Sequence, residues 1–181
     1  MKPDMIPRIA PVCQTENWQK SLAEAIRDPA ELLASLELPD QLLPAAYQAA
    51  AMFPLRVPRA YLNRIEKGKP ADPLLLQVLP LHAELAEPAS GFSADPVGDL
   101  AASPVPGLLH KYHGRVLLIT TGACAIHCRY CFRRHFPYQE SRSSPGNLQQ
   151  IRSYLQDDPS IEEVILSGGD PLSLTTPRLA A

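Results

Sequence analysis

The sequence has no apolar run long enough to cross a membrane and no large excess of either charge. Its 181 residues carry a formal net charge of −2, and 45% of them are hydrophobic. A transmembrane helix needs about 20 consecutive apolar residues, and a protein that binds nucleic acid through its overall charge is basic. The composition therefore predicts a soluble, folded protein without a membrane or nucleic-acid partner.

Cysteine is scarce and unevenly distributed. Of the four cysteines, three lie within eight residues, at Cys124, Cys128 and Cys131, whereas Cys13 is more than a hundred residues away. The sequence shows no signal peptide, and an odd group of thiols is typical of a reducing cytoplasm rather than of a disulfide framework. We predict a cytoplasmic protein and interpret Cys13 as a free thiol without a role.

The spacing C-x3-C-x2-C predicts a loop that binds an iron–sulfur cluster. Cysteine thiolates are the usual protein ligands of such clusters, and three thiolates leave the fourth iron of a 4Fe–4S cluster open. An open iron can chelate the amino and carboxylate groups of S-adenosylmethionine (SAM), as an open zinc position accepts substrate. One alternative is a structural zinc with His127 or His135 as fourth ligand, although such sites usually use two separated ligand pairs. The other alternative is three inert thiols without a metal.

Twenty prolines divide the chain, and the pattern changes near residue 106. Residues 1–105 form a predicted helical region that ends in a Pro/Gly-rich linker and carries no recognisable chemistry. Residues 106–181 form the predicted start of an α/β core domain. Capping and apolar spacing predict N-terminal helices from Thr15 to Ile26, from Asp28, over 40–52 and over 61–67.

The second region is predicted to contain a strand, a helix and a second strand. Residues 116–120 and 163–167 are short, β-branched runs typical of buried strands, and Ser144 with Pro145 begins the helix between them. A further helix begins at Thr176. This order favours a parallel pair with a right-handed crossover, so the loops after both strands are expected to face one pocket, as in α/β barrels.

The loop after the second strand contains Gly168, Gly169 and Asp170. Two glycines permit a turn that side chains would block, and we expect their carbonyl oxygens to be free to accept hydrogen bonds from the ammonium group of SAM. The alternative is an ordinary strand-to-helix turn.

Basic residues crowd the cysteine loop at Arg129, Arg133, Arg134 and His135. Arginine binds carboxylates and phosphates in a bidentate manner, so the predicted partners are a substrate carboxylate or a cofactor phosphate. The alternative is a solvated basic patch or a nucleic-acid contact.

These residues together resemble the lysine 2,3-aminomutase family of radical-SAM enzymes. The resemblance is carried by PGLLHKYHGRVLLITTGACAIHCRYCFRRHFPY (residues 106–138) and LSGGDPL (residues 166–172). It is greatest for the bacterial branch that makes (R)-β-lysine for attachment to elongation factor P. FPLRVPR (residues 53–59) and RIEKGKPADPLL (residues 64–75) favour that branch.

The resemblance implies a radical-SAM partial (β/α) barrel that binds a 4Fe–4S cluster, SAM and pyridoxal phosphate (PLP) and converts L-lysine to β-lysine. It implies that the three cysteines bind the cluster, that Gly168, Gly169 and Asp170 contact SAM, and that Arg133 binds the substrate carboxylate. Tyr112 and Arg115 match positions near PLP. Lys111 is a further implied contact for the PLP phosphate, at a position where related enzymes tend to have arginine. A ligase for elongation factor P and an unspecified electron donor complete the implied partners.

In the family, the lysine that anchors PLP and the acidic residues for the substrate ε-ammonium lie far downstream. We therefore interpret the chain as an N-terminal part, with two of about six barrel strands, inactive alone and with its last strand unpaired. Two alternatives remain open, namely a non-catalytic zinc- or iron-binding module and a radical-SAM enzyme for another amino acid.

Overall fold

The computed structural model describes residues 17–86, 90–141 and 145–180. Three residues named in the sequence predictions, Cys13, Thr15 and Ser144, lie outside these ranges. None of the helices in the described ranges is both long and apolar enough to cross a lipid bilayer.

The N-terminal region contains four short α-helices connected by turns. They are α1 (Trp18–Ala23), α2 (Pro29–Ser35), α3 (Leu43–Met52) and α4 (Arg59–Leu62), with 3-10 turns at Asp40–Leu42, Leu75–Gln77 and His82–Leu85. Helix α2 begins as predicted, because the Asp28 carboxylate accepts a hydrogen bond from the backbone N–H of Ala30 at 3.2 Å and Pro29 needs no partner.

Two predicted helices are shorter than the apolar spacing suggested. Helix α1 ends at Ala23, and Ile26 instead forms an isolated antiparallel bridge with Val57. Helix α4 starts after Pro58 and ends at Leu62 rather than covering 61–67. In both places the apolar residues still enter the core, since Ile26, Val57, Leu62 and Ile65 are all buried.

The second region forms a three-stranded sheet in the order β1–β2–β3, built from β1 (Leu108–Tyr112), β2 (Arg115–Thr121) and β3 (Glu163–Gly168). Strand β1 was not predicted, because LLHKY lacks an alternating pattern. It pairs antiparallel with β2, with Leu109 opposite Leu117. The tight turn between the two strands contains Gly114, whose φ of 76° favours glycine.

The strand–helix–strand prediction is confirmed for β2, α5 (Pro145–Asp157) and β3. Strands β2 and β3 are parallel, with Leu117 opposite Ile165. Helix α5 packs on one face of the sheet through Ile151, which clusters with Leu108 and Val116. Helix α6 (Thr176–Ala180) follows β3.

The prediction that β3 is buried is wrong. Val164, Ile165 and Leu166 are 44%, 38% and 46% exposed, because β3 is an edge strand and no other strand pairs with its far side in the described residues. The described chain is therefore a mixed α/β fold with an open sheet. The barrel and the division into residues 1–105 and 106–181 stay predictions.

Candidate cluster loop and adjoining cavity

The cysteine loop and the Gly168–Asp170 loop are joined by backbone hydrogen bonds. The N–H of Gly169 donates to the carbonyl of Thr121 at 2.7 Å, and the N–H of Asp170 donates to the carbonyl of Ala123 at 2.7 Å. The loops follow β2 and β3, whose carboxyl ends lie at one edge of the sheet because the strands are parallel. The two loops thus form one continuous surface, as the strand order predicted.

Both glycines allow this close approach. A Cβ atom added to Gly168 would lie 2.4 Å from the carbonyl oxygen of Thr121, and one added to Gly169 would lie 2.3 Å from that of Ala123. Gly168 also has a φ of 117°, which side-chain-bearing residues rarely adopt. Sterics therefore explain both glycines without any ligand.

The expectation that the glycine carbonyls are free is wrong for Gly168. Its oxygen accepts a hydrogen bond from the Tyr138 hydroxyl at 2.9 Å, and burial raises the pKa of Tyr138 to about 12, so that hydroxyl keeps its proton. The Asp170 carboxylate is also engaged, because it caps the following turn by accepting from the N–H of Leu172 at 3.0 Å.

All three cysteines of the loop are partly exposed free thiols. Burial is the main cause that raises the pKa of Cys124 to about 11, and the negative charges of Cys131, Asp170 and Cys128 add to it. The positive charge of Arg56 acts in the opposite direction. Metal binding requires the thiolate form. The positive charge of Arg56 stabilises the Cys124 thiolate and therefore favours metal binding.

The donor set fits an iron–sulfur cluster. The buried Nε of Arg56 has no hydrogen-bond partner in the described residues, which leaves a positive group near Cys124 for an anionic ligand. A cluster binds each thiolate through a different iron, which suits three thiolates spaced along one loop.

His127 contacts the N-terminal helical region through its ring. Its Nδ1 lies 2.8 Å from the carbonyl oxygen of Pro54 and therefore donates to it, and its ring stacks on Phe53 with centroids 5.2 Å apart. Burial, the largest cause, lowers the pKa of this imidazole. A neutral imidazole that donates from Nδ1 keeps the lone pair of Nε2 for a metal, so this arrangement leaves the zinc interpretation open.

Two of the loop arginines are also used within the fold. Arg129 is 7% exposed, and both Arg129 and Arg134 form ion pairs with Glu84 at 2.7 Å. Both side chains are engaged by Glu84 in this structure, and the expectation that these two arginines bind a substrate carboxylate or a cofactor phosphate stays a prediction.

A cavity of about 310 Å³ lies against the sheet, and its lining includes Lys111, Tyr112, Arg115 and Arg133. The structure thus brings together the four residues that the resemblance assigned to PLP and substrate. The cavity also contacts Leu109, Leu117 and Ile165, whereas Leu108 and Val116 pack toward α5. Successive residues of a strand point to opposite faces, so the cavity lies mainly on the face opposite α5.

The sequence predictions missed Asp99, which links two of these cations. The Asp99 side chain is 3% exposed, and its carboxylate lies 2.5 Å from Lys111 Nζ and 2.7 Å from Arg133 Nε. Burial raises the pKa of Asp99, but the hydrogen bonds and charges of Arg133 and Lys111 outweigh it and hold the pKa below its ordinary value. Asp99 lies in the Pro/Gly-rich stretch, which offered no pattern to single it out.

Comparison with known proteins agrees with the resemblance. Residues 113–181 match a family model described as a 4Fe-4S single cluster domain. The chain is 49% identical over 158 residues to L-lysine 2,3-aminomutase of Escherichia coli, which covers 87% of this chain and 46% of that protein. For the same enzyme of Haemophilus influenzae, the identity is 43% over 176 residues, 97% of this chain and 52% of the relative.

A more distant relative is L-lysine 2,3-aminomutase of Clostridium subterminale, which is 32% identical over 164 residues. The aligned part covers 90% of this chain and 39% of that enzyme. The chain spans about half the length of the curated relatives that it matches. Over most of its length, the chain is therefore homologous to the lysine 2,3-aminomutases of these bacteria.

Proposed function

We propose that the chain is the cofactor-binding N-terminal part of a radical-SAM, PLP-dependent aminomutase that converts L-lysine to (R)-β-lysine. The relatives that match it are named L-lysine 2,3-aminomutase. The observation that carries the proposal is geometric: the cysteine loop is hydrogen-bonded to the glycine loop, and both follow strands whose face borders a cavity with three basic side chains.

In this proposal, Cys124, Cys128 and Cys131 hold three irons of a 4Fe–4S cluster. When bound, the cluster supplies an electron for the cleavage of SAM, and PLP supplies an electron sink next to the lysine amino group. The backbone of Gly169, packed against Ala123, borders the SAM position, and the Asp170 cap keeps this turn in shape.

Arg133 is the proposed partner of the substrate carboxylate. Asp99 engages its Nε at 2.7 Å, and its Nη1 donates to the hydroxyl of Ser167 at 3.2 Å. These contacts fix the guanidinium plane, and the guanidinium has five N–H donors in all. A pre-oriented arginine loses less entropy when it binds a carboxylate in a bidentate manner, which supports the role that the resemblance implied.

Tyr112 and Arg115 are the proposed contacts for PLP. Tyr112 is 68% exposed at the cavity, and the Arg115 side chain is 56% exposed while paired with Glu163, so both are accessible. Lys111 is a weaker candidate for the phosphate, since its ammonium already contacts Asp99 and the carbonyl of Val97.

The similarity to the bacterial branch supports a role of the product in modifying elongation factor P, through a ligase that consumes β-lysine. We propose that the lysine that anchors PLP and the acidic residues for the ε-ammonium lie in sequence beyond the part described here. The relatives are about twice as long as the aligned part, which leaves room for these residues.

Anaerobic reconstitution with iron and sulfide tests the ligand assignment. We expect about four irons and four sulfides per chain, bound by three thiolates, and loss of the cluster in Cys124→Ala, Cys128→Ala and Cys131→Ala. Cys13→Ala is the matched control and should assemble the cluster normally. A full cluster with unchanged spectra in Cys128→Ala would contradict the assignment, and one tightly bound zinc without iron would favour the zinc-binding module instead.

A further inference from the structure

The cysteine loop is held in place by the N-terminal helical region. Between and beside the cysteines, the N–H of His127 donates to the carbonyl of Arg56 at 3.0 Å, and the N–H of Arg129 donates to the carbonyl of Gln77 at 2.8 Å. The guanidinium of Arg129 also donates to the carbonyl of Phe53 at 2.7 Å. The path of the loop therefore depends on residues 52 to 76 positions upstream.

One carboxylate lies at the centre of these contacts. Glu84 accepts two hydrogen bonds from Arg129, at 3.0 Å from Nε and 2.7 Å from Nη2, and it forms an ion pair with Arg134 at 2.7 Å. Arg134 in turn donates to the backbone carbonyl of Arg129 at 3.1 Å. Because one arginine precedes Cys131 and the other follows it, Glu84 fixes the chain on both sides of this ligand.

An aromatic ring supports the same arrangement. The guanidinium carbons of Arg129 and Arg134 lie 4.9 Å and 5.1 Å from the centre of the Phe53 ring, within the range of cation–π attraction. The His127 ring stacks on Phe53 as well. Three side chains of the cysteine loop therefore contact the same ring, that of Phe53 in the N-terminal helical region.

Glu84 is ionised at neutral pH. Burial, the largest influence, raises the pKa of its carboxyl group, but the hydrogen bonds from Arg129, the Leu81 backbone and Arg134 outweigh it and bring the pKa below its ordinary value. A buried carboxylate between two arginines satisfies charges that would otherwise be costly to bury. Its loss would leave both guanidinium groups undercompensated beside the cysteines.

We propose that Glu84 is a positioning residue for the iron–sulfur cluster, holding Arg129 and Arg134 so that Cys128 and Cys131 keep the separation that the cluster requires. This inference rests on the proposed function, because it assumes that the loop binds a cluster. It assigns the N-terminal region a role in shaping the site, although its helices carry no ligand or catalytic group.

The experiment compares the reconstituted 181-residue chain with three variants. Glu84→Gln keeps the shape of the side chain but removes its charge, and Arg134→Met removes one arginine while leaving the Arg129–Glu84 pair intact. Glu31→Gln is the matched control, because it disrupts an Arg–Glu pair in the same region with side chains 54% and 41% exposed. The readouts are circular dichroism, iron content, the rate of iron release to a chelator, and the EPR spectrum of the reduced cluster.

We expect Glu84→Gln to keep the helical circular dichroism spectrum but to release iron about tenfold faster, since charged hydrogen bonds contribute roughly that factor or more. Its EPR spectrum should differ from that of the wild type, a change that loss of global stability alone would not cause. Arg134→Met should change both readouts less and in the same direction, and Glu31→Gln should match the wild type.

Wild-type iron release and EPR in a folded Glu84→Gln protein would overturn the inference while leaving the proposed function intact. If Glu84→Gln does not fold, Arg134→Met decides, and wild-type behaviour of that variant would overturn the inference. Failure of the wild-type chain to assemble any cluster would overturn the proposed function and the inference together.

Discussion

At the scale of single residues, ion pairs with little exposure to solvent hold the side chains of the cavity and of the cysteine loop in place. Asp99 pairs with Lys111 and Arg133, and Glu84 pairs with the other two loop arginines. Of the arginines that the sequence suggested as ligand-binding residues, Arg129 and Arg134 hold the cysteine loop through Glu84, whereas Arg133 lines the cavity. Arg133 and Arg115 are the loop and strand arginines that line the cavity.

Replacing Asp99 with asparagine should destabilise the chain by about 2 kcal/mol or more, because two cations would lose a buried carboxylate. Urea unfolding of the 181-residue chain measures this difference. Asp157→Asn is the control, since Asp157 is exposed at the end of α5, and it should change stability little.

The Asp99→Asn effect should also depend on pH. The folded state holds the pKa of Asp99 below the ordinary value of 3.8, so its contribution to stability is fully present above that value. The contribution is lost as the pH falls through the lower pKa of the folded state. The stability difference between wild type and variant should therefore shrink below about pH 4. A constant difference between pH 7 and pH 3 would contradict this linkage.

Gly169 provides a second test at this scale. A Cβ atom at this position would overlap the backbone of Ala123, so Gly169→Ala should displace the cysteine loop and lower the iron content after reconstitution. The control is Gly146→Ala in α5, where an added Cβ meets no atom within 4 Å and alanine is the better helix former. Equal iron content in both variants would show that the contact does not shape the site.

At the scale of elements, β2, α5 and β3 form the unit that positions both loops. The side chain of Ile151 joins α5 to the sheet through Leu108 and Val116. Ile151→Ala should lower the free energy of unfolding by about 2–4 kcal/mol, because truncation leaves a cavity in this cluster. Urea denaturation gives the value, and Leu148→Ala on the same helix, at a side chain 44% exposed, should cost much less. Similar losses in the two variants would contradict the packing.

The sequence predicted these elements where the signal is local. Strands β2 and β3 are runs of apolar residues, and α5 has an apolar stripe, so their existence and order could be predicted. Strand β1 was not predicted, because apolar and polar residues do not alternate in LLHKY and the strand forms only by pairing with β2. The burial of β3 was predicted wrongly, since burial depends on which neighbours cover a strand rather than on its own composition.

The same distinction applies to the candidate site. The three cysteines are close in sequence, so their spacing alone indicated a shared ligand. Asp99 and Glu84 reach their arginines across 34 and 45 residues, and no local pattern encodes such pairs. Residues whose role depends on distant partners therefore became visible only in the folded chain.

At the scale of the whole molecule, the open edge of β3 and its exposed apolar residues fit a chain that spans about half the length of its relatives. The 181-residue chain made alone should not convert L-lysine to β-lysine, even with cluster, SAM and PLP supplied. The reason is that no strand covers β3, whose Ile165 lines the cavity, so the cavity is not shielded from water at the edge of the described sheet. Chromatographic detection of β-lysine under anaerobic reduction measures this, and clear turnover would contradict the expectation.

The most direct test of the central claim, that the cysteine loop carries a cluster with an open iron for SAM, is the EPR spectrum of the reduced, reconstituted chain before and after SAM is added. We expect SAM to shift the cluster signal in the wild type and in Glu31→Gln, because chelation changes the coordination of one iron. An unchanged spectrum at saturating SAM, in protein that is folded and fully loaded with iron, would contradict the account.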